Sequence, residues 1–232
     1  MKRLLAVAIL AALALVPGGT RGDFLENFDS YANGTSMHGV GGWEGWDGNP
    51  AGTAYVSNAQ SVSSPNSVDI SGSADLVHPF SDITDGLWYV SAKQYVPSGT
   101  TGSNYFILLN SYPYINVPDS WSVSLLCDLD AGTVTDFWKT SNTVALAKDR
   151  WVDIDVSIDL DGNHVNAYYD NQLVLSGPWY GDTKALQAID LYSENTGPVY
   201  YDDIRAYIPE PCSLILLALG ALGLFVWRRR RG

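Results

Sequence analysis

The sequence predicts an all-β fold, an antiparallel jelly-roll sandwich of two sheets. Apolar and polar residues alternate at a period of two in many short runs, and Gly, Asn, Asp and Pro separate these runs. No stretch between Asp23 and Ile208 keeps the three-to-four-residue apolar period of an amphipathic helix. About a dozen short strands favour two packed sheets over one open sheet.

The clearest strand signal covers residues 151–160. Aliphatic and polar residues alternate there, with Val152, Ile154, Val156, Ile158 and Leu160 on one face and Asp153, Asp155, Ser157 and Asp159 on the other. Because successive side chains of a strand point to opposite faces, the aliphatic face is expected in the core. Turn residues at 161–163 and 170–171 then predict returning strands at 165–169 and 173–175, as in a meander.

Similar runs predict the remaining strands. They lie at residues 54–57, 67–70, 76–80, 87–96, 105–109, 122–127, 133–138, 186–192 and 199–207. The glycine-rich region 34–52 has no periodicity and predicts a long ordered loop, a kind of segment that often carries function.

Residues 1–22 are typical of a secretory signal peptide. Lys2 and Arg3 precede an uncharged apolar run of 13 residues at 4–16, as in the charged and apolar regions of such signals. No clean Ala-x-Ala site follows, so the cleavage position is left open. We expect export of the chain.

The region between the two ends is strongly acidic. From Asp23 to Ile208 there are six Lys or Arg against 24 Asp or Glu, a net charge of −18. Such a field repels nucleic acid and anionic lipid headgroups, so no nucleic-acid partner is expected. Divalent cations, neutral glycans, basic partners or a merely solubilising surface stay open.

Residues 209–232 have three parts in a fixed order. Pro209, Glu210 and Pro211 precede an uncharged 16-residue stretch at 212–227, and then come Arg228, Arg229, Arg230 and Arg231. A 16-residue helix reaches about 24 Å, less than the ~30 Å hydrocarbon core, so Trp227 and the arginine stems are expected to snorkel. The arginines predict a cytoplasmic end for this transmembrane helix.

This arrangement resembles the PEP-CTERM sorting signal of bacterial surface proteins. The resemblance implies recognition by an exosortase, which is a membrane cysteine transpeptidase, and cleavage near the Pro-Glu-Pro motif. Cys212 stands where that signal usually has a small hydroxylated residue. The expected route leads from an inner-membrane precursor to the cell surface or extracellular matrix.

The region 23–208 resembles a concanavalin A-like, laminin-G-like jelly roll. The resemblance rests on the segments 26–29 (Glu-Asn-Phe-Asp) and 201–205 (Tyr-Asp-Asp-Ile-Arg) and on the meander at 151–175. Many proteins of that fold hold one structural calcium ion between the first and last strands. Glu26, Asp29, Asp202 and Asp203 supply the oxygen ligands that calcium prefers, and exposed strand-end acids are the alternative.

Six aromatic residues lie in loop-like or Gly/Pro-flanked segments and are candidate glycan contacts. They are Trp43, Trp46, Tyr112, Tyr114, Trp179 and Tyr180. Flat rings suit the faces of sugars, although we expect about half of these six to be core residues. Trp88, Trp121, Trp138 and Trp151 are predicted to pack in the core or on a sheet face.

No convincing catalytic constellation is present in the sequence. The four glutamates are scattered, and a solvated strand face explains Asp153 and Asp155 better than glycosidase chemistry does. His38, His78 and His164 lack transition-metal spacing. We therefore expect a non-enzymatic, polysaccharide-binding surface protein. A secreted polysaccharide hydrolase or lyase and a purely structural matrix protein are the alternatives.

Overall fold

The computed structural model describes residues 23–113, 121–139, 141–179, 181 and 183–209. These residues form fifteen strands, β1 to β15 in chain order, and two short 3-10 turns at Trp46–Gly48 and Pro50–Gly52. The strands make two antiparallel sheets. This confirms the predicted all-β class. The signal peptide, the transmembrane helix 212–227 and the arginine run lie outside the described residues. Within the described part, no helix is long and apolar enough to span a membrane.

The first sheet contains eight strands. Seven of them follow the order β13-β12-β11-β6-β15-β4-β3, and β1 pairs with β15. Their bounds are β1 Phe24–Glu26, β3 Tyr55–Ser57, β4 Ser67–Asp69, β6 Leu87–Tyr95, β11 Trp151–Asp159, β12 His164–Tyr169, β13 Gln172–Gly177 and β15 Tyr200–Tyr207.

The second sheet contains seven strands in the order β10-β9-β8-β7-β14-β5-β2. Their bounds are β2 Glu44–Gly45, β5 Asp75–Pro79, β7 Ser103–Leu109, β8 Trp121–Asp128, β9 Thr133–Asp136, β10 Val144–Ala145 and β14 Ala188–Glu194. The glycine-rich region 34–52 is largely a loop, as predicted, but it also contributes β2 to this sheet.

The main core fills the space between the sheets. The even-numbered aliphatic residues of β11 are buried there, as their alternation predicts. Hydrogen bonds also cross the core: Gln94 Nε2 donates to Tyr201 Oη at 2.7 Å, and Tyr201 Oη donates to Asn104 Oδ1 at 2.6 Å. Because Gln94 and Tyr201 belong to one sheet and Asn104 to the other, this chain of hydrogen bonds favours a single register between the sheets.

Candidate functional site

The outer face of the seven-stranded sheet, which points away from the main core, carries a second apolar cluster. In β7, Phe106 and Leu108 face the main core, whereas Tyr105, Ile107 and Leu109 face outward. Neighbouring strands add Val77 and Ala188, and partly buried side chains pack on the cluster: Trp46, Tyr112, Trp121, Leu126 and Tyr192. A strand with apolar residues on both faces is stable when other residues shield both faces from water. Here aromatic side chains supply part of that cover.

An open cavity of about 390 Å³ lies on this face and is called the aromatic cavity below. Its lining consists of Trp46, Asp75, Tyr105, Ile107, Trp121, Ser124, Phe137, Trp138, Asp190 and Tyr192. Its volume falls within the range of small-molecule binding sites, which are commonly apolar with a few polar groups.

Two tryptophans form one side of the cavity. The rings of Trp121 and Trp138 are parallel within 3°, with centroids 5.7 Å apart. Phe137 stands edge-on to Trp138 at 4.7 Å and to Tyr105 at 5.9 Å. Trp138 is nevertheless 60% exposed. A flat indole face that its neighbours hold in place is therefore open to a ligand.

Asp136 fixes the turn that presents Phe137 and Trp138. Its buried carboxylate accepts hydrogen bonds from the backbone N–H of Ser124 at 2.9 Å, of Trp138 at 3.0 Å and of Lys139 at 2.7 Å. The Lys139 ammonium donates to the carbonyls of Ser122 and Pro178. The exposed ring thus rests on a turn whose backbone donors are satisfied, which lowers the entropy cost of binding.

Trp46 stands at another side of the cavity, where the 3-10 turn follows β2. Its ring meets the Tyr112 ring edge-on at 5.4 Å. The Tyr112 hydroxyl donates to Glu44 Oε1 at 2.7 Å and accepts from the Asp47 N–H at 3.2 Å. Burial and then Glu44 raise the pKa of Tyr112, so this hydroxyl stays protonated as a donor. These contacts tie the glycine-rich loop to the sheet.

Among the described residues that line the cavity, Asp75 and Asp190 are the only ones with an acidic or basic side chain. Asp190 on β14 pairs with Val77, and Asp75 on β5 pairs with Tyr192, so the two acids are diagonal neighbours. The two carboxyl groups are close enough for each to shift the pKa of the other. Because ionising both at once is unfavourable, the two groups share a proton more readily than separate carboxyl groups would.

Burial explains this shared proton. Asp190 is 2% exposed, and burial followed by the charge of Asp75 raises the pKa of Asp190 well above its ordinary value. Burial also raises the pKa of Asp75, although the hydrogen bond from Asp190 opposes that rise. Two adjacent carboxyl groups in a dry site cannot both ionise cheaply, so the pair carries about one negative charge.

The structure separates the six predicted glycan contacts into three groups. Trp46 and Tyr112 belong to the aromatic cluster on the outer face. Trp43 and Trp179 are each 1% exposed and pack in the main core, which corrects their prediction as contacts because a buried ring cannot stack on a sugar. Tyr114 and Tyr180 lie outside the described residues.

Trp121 packs on the outer sheet face, as predicted, and it also lines the aromatic cavity. Trp138 was likewise predicted to pack in the core or on a sheet face, but it is 60% exposed and lines the same cavity. The sequence does carry a signal for this surface. Residues 105–109 and 122–127 include apolar positions of both parities, which indicates a sheet with an apolar outer face.

Three of the four predicted cation ligands, Glu26, Asp29 and Asp202, accept hydrogen bonds from their own chain. Glu26 accepts from the Phe28 N–H at 2.8 Å and from the Tyr31 hydroxyl at 3.0 Å. Asp29 accepts from the Asn66 N–H at 3.0 Å. β1 does pair with β15 as expected, with Glu26 opposite Ile204.

Asp202 is buried and accepts N–H bonds from Val62 at 2.8 Å, Ser63 at 3.2 Å and Asp203 at 2.7 Å. Burial raises the pKa of Asp202 to about 6, against the effect of these bonds. In the part of the chain that is described, no group of three His, Cys, Asp or Glu side chains could hold a metal ion. Calcium binding stays a prediction, which thermal melts with calcium and with a chelator test.

The other acidic pair lies on the opposite side of the sandwich. Asp153 forms an ion pair with Lys93 on the outer face of the eight-stranded sheet. Burial and then Asp153 raise the pKa of Asp155. Both acids line a separate cavity of about 470 Å³ that also contains Lys93 and Arg205. That mixed-charge lining is what a solvated polar strand face provides.

The sorting segment and the fold were compared with known proteins. The model of the PEP-CTERM protein-sorting motif matches residues 208–231. Comparison with curated proteins finds no match.

Among solved structures, the chain is similar to a sialidase, with a TM-score of 0.57 and 10% identity. That alignment covers 82% of this chain but 19% of the sialidase, so the chain spans about a fifth of that protein. At this identity the similarity concerns the fold alone.

Two smaller proteins align less well. One is the carbohydrate-binding module CBM66 from Bacillus subtilis, with a TM-score of 0.48 and 11% identity over 72% of this chain and 96% of the module. The other is the Caenorhabditis elegans galectin LEC-6, with a TM-score of 0.41 and 11% identity over 57% of this chain and 89% of the galectin. The chain is thus a two-sheet antiparallel β-sandwich protein with a PEP-CTERM sorting motif at residues 208–231, which marks it as exported, sorted and membrane-held before processing.

Proposed function

We propose that an exosortase sorts this protein to the cell surface or extracellular matrix, where its aromatic cavity binds a polysaccharide without cutting it. The stacked pair Trp121 and Trp138 is the observation that carries this proposal. An indole held parallel to a second indole and 60% exposed is a preformed platform for the apolar face of a sugar ring. Preformed rings lose little conformational entropy on binding.

The remaining lining supports a saccharide ligand. Trp46, Tyr105 and Tyr192 add aromatic walls, while Asp75, Asp190 and Ser124 add a few polar groups. Sugar rings combine apolar faces with hydroxyl edges, and they match a site of this mixed composition.

The placement of the acid pair favours binding over hydrolysis. Asp75 and Asp190 are diagonal neighbours on adjacent strands, so both face a ligand from the same side of one sheet. Glycosidases instead place their two carboxyl groups on either side of the scissile bond, where one acts as acid and the other as nucleophile or base.

A polysaccharide hydrolase is the second candidate, because Asp190 has the raised pKa that a general acid needs. A panel of polysaccharides incubated with the purified full-length chain distinguishes the two. The proposal expects saturable binding without release of reducing ends or unsaturated sugars. Steady product release that Asp75→Asn or Asp190→Asn removes, and that Asp153→Asn leaves intact, would establish the hydrolase instead. Neither binding nor product release would favour the structural matrix protein.

A further inference from the structure

The aromatic cavity has an asymmetric charge. Its described lining contains two carboxyl groups, and it contains no lysine, arginine or histidine. Asp47 lies close enough to Asp75 to raise its pKa, and Glu194 acts in the same way on Tyr105 and Tyr192. These surroundings make the cavity a region of negative potential, which attracts cations and repels anions.

No backbone or other side-chain donor of the described residues reaches the buried oxygens Asp75 Oδ1 and Asp190 Oδ1. The negative charge of the pair is therefore not compensated by neighbouring donors, and an uncompensated buried charge costs free energy. A cationic ligand beside the pair would recover part of that cost, and an anionic ligand would not.

We propose that the aromatic cavity selects glycans that carry free amino groups, such as polymers of glucosamine, over neutral and uronic-acid glycans. This rests on the proposed polysaccharide binding and names the ligand class of that site. A sugar ammonium has three N–H donors and no acceptor, so it matches unpartnered carboxyl oxygens. Ammonium groups are also attracted to the faces of Trp, Tyr and Phe rings.

The alternatives fit the cavity less well. A calcium ion requires six to eight oxygen ligands, and the described residues offer two carboxyl groups here. A uronic acid would add a negative charge beside the shared proton of Asp75 and Asp190, where like charges repel. A neutral hydroxyl carries no positive charge, so the negative potential of the cavity does not attract it as it attracts an ammonium group.

Affinity for three hexasaccharides tests the proposal on the purified full-length chain at fixed ionic strength and at a mildly acidic pH, where the glucosamine amines are protonated. Hexaglucosamine should bind at least about tenfold more tightly than hexa-N-acetylglucosamine, a ratio equal to about 1.4 kcal/mol. Hexaguluronate should bind most weakly. The tenfold preference should shrink as salt is added, because ionic attraction is screened.

Paired variants locate the effect. Asp75→Asn with Asp190→Asn should reduce the preference for hexaglucosamine over the acetylated hexamer to less than about twofold. Asp69→Asn is the matched control. Asp69 is half-buried with a burial-raised pKa and an unpartnered Oδ1, but it lies on β4 of the other sheet and should leave the preference unchanged.

Each outcome supports or overturns the amino-glycan selectivity, the polysaccharide binding, or both. Equal affinity for the amino and acetylated hexamers would overturn the selectivity and leave polysaccharide binding standing. The same holds if the double Asn variant keeps the full preference. Absence of binding to any neutral or amino glycan by the folded chain would overturn both proposals. The ratio measured on the unmutated chain decides even where a variant fails to fold.

Discussion

Replacing Trp138 by alanine is expected to weaken glycan binding without unfolding the protein. The ring is 60% exposed, so of the roughly 250 Å² of a tryptophan side chain about 150 Å² is accessible. A sugar covers one face, about half of that area. At about 25 cal/mol per Å² the lost contact corresponds to about 2 kcal/mol. The dissociation constant should therefore rise about 30-fold.

Isothermal titration calorimetry with a binding polysaccharide measures this change, and a thermal melt reports the fold. Tyr55→Ala is the matched control, because Tyr55 is 53% exposed but lies on the eight-stranded sheet away from the cavity. The control should bind like the unmutated chain. An unchanged affinity in Trp138→Ala, or an equal loss in Tyr55→Ala, would refute the assignment of the stacking platform.

Three further predictions follow from other parts of the molecule. Trp179→Ala should lower the free energy of unfolding by about 3 to 5 kcal/mol in a denaturant titration, because its ring is buried and its Nε1 donates to the Ala185 carbonyl at 2.9 Å; a loss of binding with normal stability would contradict its core role. The unfolding free energy should fall as pH rises above about 4, the ordinary pKa of Asp. Folding raises the pKa values of Asp75 and Asp190, so above that pH these two residues lose their protons in the unfolded chain while they still hold them in the folded one. The double Asn variant should show a shallower slope, and an identical slope would show that the pair is not protonated by burial. Replacing Arg228 to Arg231 by serine should reduce membrane retention and the mature-to-precursor ratio on immunoblots, because the arginines set orientation; an unchanged ratio and location would contradict the role of the run.

The fold was predictable because apolar and polar residues alternate along most of its strands. Residues 151–160 show their two faces directly, and the structure places β11 there. The short strands β2 and β10 were missed, since two residues carry no period and their pairing depends on distant partners. β2, for example, exists because Glu44 pairs with Val77 on β5.

The candidate site was less predictable because exposure depends on how loops fold back. Trp43 lies among glycines, which favours a loop, yet its indole packs against Phe28 and Phe24 in the core. Trp138 follows a strand and suggested packing, yet the Asp136 turn presents it to solvent. Local sequence does not encode which side of a loop meets a sheet.

The acid pair could not be found from spacing at all. Asp75 and Asp190 lie far apart in the sequence and meet because β5 pairs with β14. Their neighbours Leu76 and Leu191 point to the main core, so each acid alone looks like an ordinary solvent-facing strand residue. Burial of the outer face by distant aromatic residues changes that environment.

Nuclear magnetic resonance of ¹⁵N-labelled indoles tests the central claim most directly, because it shows which rings meet a bound glycan. The full-length chain contains eight tryptophans. On titration with a polysaccharide fragment that binds, the indole signals of Trp46, Trp121 and Trp138 should shift and saturate together, while those of the buried Trp43, Trp88 and Trp179 should stay in place. Saturable binding that shifts Trp151 and leaves the three cavity indoles unmoved would contradict the account.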